Sequence, residues 1–121
     1  LIAALAGCRA QPAPVGASGT PAIYEWGVLH AELPVNLDVL TVSAAAEVTL
    51  RERGYSITHR AGLADRAELL GSPGGGYSIP DVLVVVSNAA QGTGLAVKVM
   101  PLGDEVYARV LMESILNKLG R

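Results

Sequence analysis

The sequence has no phenylalanine, one tryptophan, one cysteine and two histidines in 121 residues. A lone cysteine cannot close an internal disulfide, and with two histidines it is too small a set for a structural zinc site. No stretch reaches the roughly 18 consecutive apolar residues that a membrane-crossing helix needs. Positive charge is not in excess either: nine Lys/Arg stand against eleven Asp/Glu. The basic footprint of a phosphate-binding surface is therefore missing, and nucleic acid is not an expected partner. Charged residues make up only 17% and apolar ones 50%, which is too hydrophobic for a disordered chain. The length suits one domain whose core stands without staples or metals.

The first eight residues differ in character from the rest of the chain. Leu1, Ile2, Ala3, Ala4, Leu5, Ala6 and Gly7 lead to Cys8 and read as the tail of a secretory hydrophobic region. Leu5-Ala6-Gly7-Cys8 resembles the bacterial lipobox. The resemblance implies that the Cys8 thiol receives diacylglycerol and that cleavage makes Cys8 the first mature residue. Small Ala6 and Gly7 suit a peptidase that grips extended backbone just before the cut. A full signal of this kind opens with Met and a charged segment, so Leu1 is expected to lie inside a longer precursor. The competing reading makes residues 1–8 the first element of the fold and Cys8 a buried thiol. Residues 9–21 speak against it, with three prolines, two glycines and no apolar period in thirteen residues. They are expected to form a semi-extended tether of about 3 Å per residue, reaching on the order of 40 Å. The expected organisation is thus a signal tail over 1–8, a tether over 9–21 and a single domain over 22–121. Two acyl chains on one cysteine hold firmly, because each buried CH₂ adds about 0.8 kcal/mol.

Within the domain, Ile23 to Leu33 alternates in period two and reads as one strand stopped by Pro34. Asn36 or Asp38 caps a helix that runs to Gly54. Its apolar residues form two bands, Leu37, Leu40, Ala44 and Val48 beside Val39, Val42, Ala46 and Leu50. Charge gathers at its end, so the first half is expected to be well buried. Tyr55, Ile57 and His59 alternate as a half-buried strand. Arg66 to Gly71 reads as a weaker strand, with a helical turn or two over residues 64–72 as the alternative. Ser72 to Ser78 is a loop, Val82 to Val86 a central strand, Gln91 to Gly94 a turn, and Leu95 to Val99 a strand. Asp104 caps a last helix, with Glu105 also at the positive end of its dipole. Ala108, Leu111, Met112, Ile115 and Leu119 form its buried stripe, and Arg109, Glu113 and Asn117 its outer side. The expected class is α+β: a two-layer sandwich with a mostly antiparallel sheet of four to five strands and two helices on one face, in the order β-α-β-(β)-β-β-α.

Gly103-Asp104-Glu105 through Leu119, directly after an alternating strand, and Pro34-Val35-Asn36-Leu37-Asp38 opening a helix that ends at Gly54-Tyr55, resemble a family of small bacterial envelope lipoproteins known only as a domain of unknown function. The resemblance covers about Trp26 to Leu119, and the Gly-Asp-Glu helix is its most specific part. The family has a tight Asp-Gly hairpin where this chain has Ser72 to Asp81, and a glycine where it has Met100. The resemblance implies a fold and a location, and no chemistry.

Catalytic arrangements are mostly declined. Gly71 to Gly76 lacks the Gly-Lys-Ser/Thr ending and the following helix of a phosphate cradle, and Gly92-Thr93-Gly94 leads into a strand rather than a helix. No Gly-x-Ser-x-Gly elbow occurs. Capping accounts for Asp104 and Glu105. His30 and His59, with Asp65 or Asp81, form a polar site only if their strands bring them together. Tyr24 and Trp26 either fill the core or form an aromatic contact patch for a partner or a membrane interface. The resulting expectation is a non-enzymatic lipoprotein of the bacterial cell envelope, acting by localisation and protein contact. Its partners are membrane lipid, through acylated Cys8, and an envelope protein complex. Arg9 after Cys8 resembles the residue choice that releases lipoproteins toward an outer membrane, so the domain would face the periplasm. The alternative is a periplasmic small-ligand-binding or hydrolytic domain using a cleft between sheet and helices, with His30 and His59 as its polar groups. No cofactor, metal or catalytic residue is assigned.

Overall fold

A computed structural model describes residues 11–34, 36–63, 65–73 and 80–121. Three short strands come first: β1 (Ala13–Val15), β2 (Thr20–Glu25) and β3 (Val28–Pro34). Helix α1 (Val39–Glu52) crosses to β4 (Tyr55–Leu63), β5 (Arg66–Pro73), β6 (Val82–Ala89) and β7 (Gly92–Val99), and α2 (Glu105–Lys118) closes the order. All strands join one antiparallel sheet in the order β1-β2-β3-β7-β6-β5-β4. Two meanders thus meet at the β3–β7 pair, and both helices pack on one face. The α+β class is as expected, with seven strands among the described residues in place of four or five.

Three differences have their origin in local chemistry. The segment read as one strand from Ile23 to Leu33 is a hairpin, turned at Trp26 and Gly27, which have φ of 55° and 77°. Positive φ at both central residues is the type I′ signature, whose twist matches that of the flanking strands. Next, Ala13–Val15, expected in the tether, is an edge strand. Ala13 stands opposite Ala22 and Pro14 opposite Pro21; Pro14 is tolerated on the edge strand, where fewer ladder donors are required, and Pro21 lies near the start of β2. Val15 is buried, so the folded unit begins well before residue 22. Finally, Gly92-Thr93-Gly94 opens β7, and the turn is at Ala90-Gln91. The β7 backbone at Gly92 runs so close to the Leu33 carbonyl that no Cβ fits between them. Residues 66–72 are strand rather than helix.

The core lies between helices and sheet. Leu29, Leu33, Val82, Val84, Val86, Leu95 and Val97 point inward from the strands. From α1 only one of the two expected bands enters: Val39, Val42, Ala46 and Leu50 are buried, whereas Leu40 is 64% exposed. A 3.6-residue period offers a flat sheet a single stripe, so the first half of α1 is not the buried half. Asp38 caps α1 by accepting the Thr41 N–H at 2.8 Å, and Asp104 caps α2 through the Tyr107 N–H at 3.1 Å. Ala108, Leu111, Met112 and Ile115 fill the centre as expected, joined by Leu116. Arg109 does not belong to the outer side. Its guanidinium donates to the carbonyls of Ala13 and Ala22 and pairs with Glu105, fastening α2 to β1 and β2.

Candidate functional site

Direction along the strands sorts the surface into two ends. The register puts Glu25 opposite Val28, and Val99 opposite Val82, so the Trp26–Gly27 turn, the end of β7 and the start of β6 share one end of the sheet. The turn from Met100 to Gly103 leads from there into α2. These two turns touch. A Cβ on Gly27 would come within 3.1 Å of the Leu102 carbonyl, and one on Gly103 would run into the Tyr24 hydroxyl and the Gly27 backbone. Gly103 also has φ of 96°, so two independent constraints favour glycine there.

The same end carries three large apolar side chains in water. Trp26 is 95% exposed, Leu102 88% and Val106, in the first turn of α2, 76%. Val110, one helical turn further on, continues the line with partial exposure. Glu25 adjoins Trp26 in sequence, and Asp104 and Glu105 lie between Leu102 and Val106. Tyr24 and Trp26, expected to act as a pair, part company: Tyr24 is half-buried against the core, while Trp26 stands free at the hairpin tip. Leu102 and Val106 do not stand out in the sequence. The only signal there is an apolar residue just after a proline and another on the polar side of a capped helix.

The histidines are placed apart. His30 lies on β3 and His59 on β4, with β7, β6 and β5 between them. Four strand spacings of about 4.8 Å separate them by roughly 19 Å. Both are exposed. His30 is on the sheet face away from the helices, in a cross-strand row with Ala96, Val85 and Glu68. Beside it a shallow depression of about 350 Å³ is lined by Leu83, Val85, Arg66 and Lys98 among others. Asp65 and Asp81 are at opposite ends of the sheet and bring no carboxylate to a histidine pair: the Asp65 carbonyl accepts the Asn88 N–H, and the Asp81 carbonyl accepts the Met100 N–H. No group of three metal-ligating side chains occurs among the described residues. No helix among them is long and apolar enough to cross a membrane.

One buried polar cluster stands near the Trp26 end, on the α1 side. The hydroxyls of Tyr55 and Tyr107 lie 2.9 Å apart, and Tyr55 donates to the Pro80 carbonyl at 3.0 Å. Burial, and then the hydrogen bond with Tyr107, push the Tyr55 phenol well above its ordinary value of 10.0. The pair fixes the end of α1's crossover against α2 and points to no ligand. Cys8 lies outside the described residues. No known protein family matches the sequence, and no curated protein is similar to it.

Proposed function

We propose that this chain is an envelope lipoprotein held to a membrane through acylated Cys8, whose α+β domain works by being localised there and making contacts. The carrying observation is Leu5-Ala6-Gly7-Cys8, with the chain's only cysteine at the position of the acceptor thiol. Its small residues supply the extended, easily gripped backbone that processing needs. The position of β1 changes the picture of the tether. Only Arg9, Ala10, Gln11 and Pro12 separate Cys8 from Ala13, so the reach is at most about 18 Å instead of 40 Å. The domain would ride close to the lipid, not on a long stalk. The outer membrane and a periplasmic orientation remain part of this reading through Arg9, and an envelope protein complex remains its proposed partner.

The alternative of a ligand-binding or hydrolytic cleft relied on His30 and His59 acting together, and their separation across three strands gives it no support. Metabolic labelling with an alkyne fatty acid, combined with fractionation, tests the proposal. Wild type should be labelled and sediment with membranes, and Cys8→Ser should be unlabelled. Unlabelled wild type in the soluble fraction would overturn it.

A further inference from the structure

We infer that the end of the domain formed by Trp26, Leu102 and Val106 seats in the headgroup region of the bilayer that holds Cys8, so that the lipid surface orients the domain as well as retaining it. The inference rests on the anchoring proposed for Cys8 and adds a second, non-covalent contact.

The chain's own direction supplies the first reason. β1 is antiparallel to β2, with Ala13 opposite Ala22 and Val15 opposite Thr20. Moving back from Val15 toward residue 11 therefore moves toward the Trp26–Gly27 turn. The chain thus enters β1 from the direction of that end. With four residues between Cys8 and β1, the lipid attachment stays close to the domain, and the strand direction aims it at the Trp26 end.

The second reason is the backbone under Trp26. A positive φ is adopted readily by Gly, Asn and Asp at a hairpin tip and reluctantly by a bulky residue. Here the only tryptophan in the chain occupies such a position and is left in water. Neither the turn nor the core explains the choice. An interface that is apolar on one side and wet on the other does, because indole joins a large apolar body to a single N–H donor. Leu102 and Val106 broaden the contact from the adjoining turn and helix start. The carboxylates of Glu25, Asp104 and Glu105 interleave with these residues, so the surface fits zwitterionic headgroups and gains nothing from anionic ones.

Because Trp26 is the sole tryptophan, its fluorescence reads this contact directly. Two preparations serve: the native acylated protein in phosphatidylcholine vesicles, and the full chain coupled through the Cys8 thiol to a maleimide lipid in the same vesicles. In both, emission should move to shorter wavelength, and quenching by iodide should fall roughly fivefold or more relative to the uncoupled chain. Leu102→Asp with Val106→Asp, both at exposed sites where folding tolerates a carboxylate, should restore much of the quenching while circular dichroism stays unchanged. Trp26 that remains as open to iodide on the vesicle as in solution would overturn the inference, and would point to a protein as the occupant of this surface. That result with Cys8 acylated leaves the anchor standing. A bare Cys8 in native material, with Trp26 shielded in the coupled preparation, removes the anchor and supports the surface.

Discussion

At the scale of single residues, the most informative positions are those where local preference is overridden. Trp26 has a left-handed backbone and is almost wholly exposed, so it adds strain without burial. Trp26→Gly should leave thermal stability unchanged or raise it by up to about 1 kcal/mol, as checked by denaturant unfolding. A tryptophan that stabilised the fold would give a clear loss instead. Tyr55 acts in the opposite sense. Its phenol is held protonated by burial and by the hydrogen bond with Tyr107, so its folded value lies above the unfolded 10.0. The stability linked to that shift is complete below pH 10.0 and is lost as the pH rises beyond it. Melting temperature should therefore decline in strongly alkaline buffer, and Tyr55→Phe should flatten that decline. At the acid end, hydrogen bonds from Thr41 hold the Asp38 carboxyl below its ordinary value of 3.8. Its contribution is present above 3.8 and fades as pH falls through the lower, folded value.

At the scale of elements, what could be read from the sequence depended on whether a local signal agreed with its tertiary setting. α2 was legible because Asp104, the apolar stripe and the terminal Lys118 all belong to one helix. β6 and the later part of β7 were legible as well, since Val-rich and alternating runs have few other uses. The Trp26–Gly27 turn was not, because its first residue is one that hairpin chemistry disfavours, and Ile23 to Leu33 keeps its alternation straight through the bend. β1 was hidden by Pro14, which an edge strand admits because its outer side needs no ladder donor. For the site, Trp26 was visible as a residue, while the surface was not: it depends on two turns meeting at Gly27 and Gly103, which no spacing reveals. The two bands of α1 show the same limit, since periodicity offered both and the sheet accepted one. β1 gives a direct test. Removing residues through Gly19 strips buried Val15 and the Ala13 carbonyl that Arg109 holds, and should lower stability by about 2 kcal/mol or more. A free tether would make the truncation silent in a denaturant melt.

At the scale of the whole molecule, the sheet has one face covered by helices and one open, and its two ends differ in kind. The end where Arg121 folds back to accept the Ser18 N–H at 2.7 Å closes the turn after α2 onto the β1–β2 connection. The other end gathers the Trp26 hairpin and the start of α2, and β1 runs away from it. That polarity gives an anchored domain a definite up and down. A domain on a 40 Å stalk would sample more orientations than one held within about 18 Å of the lipid. The whole account hangs on the chemistry of one sulfur. Its most direct test is the mass of the N-terminal peptide of the native protein purified from membranes. The account predicts a peptide that begins at Cys8 and carries diacylglycerol, and a peptide that runs through residues 1–8 with an unmodified thiol would contradict it.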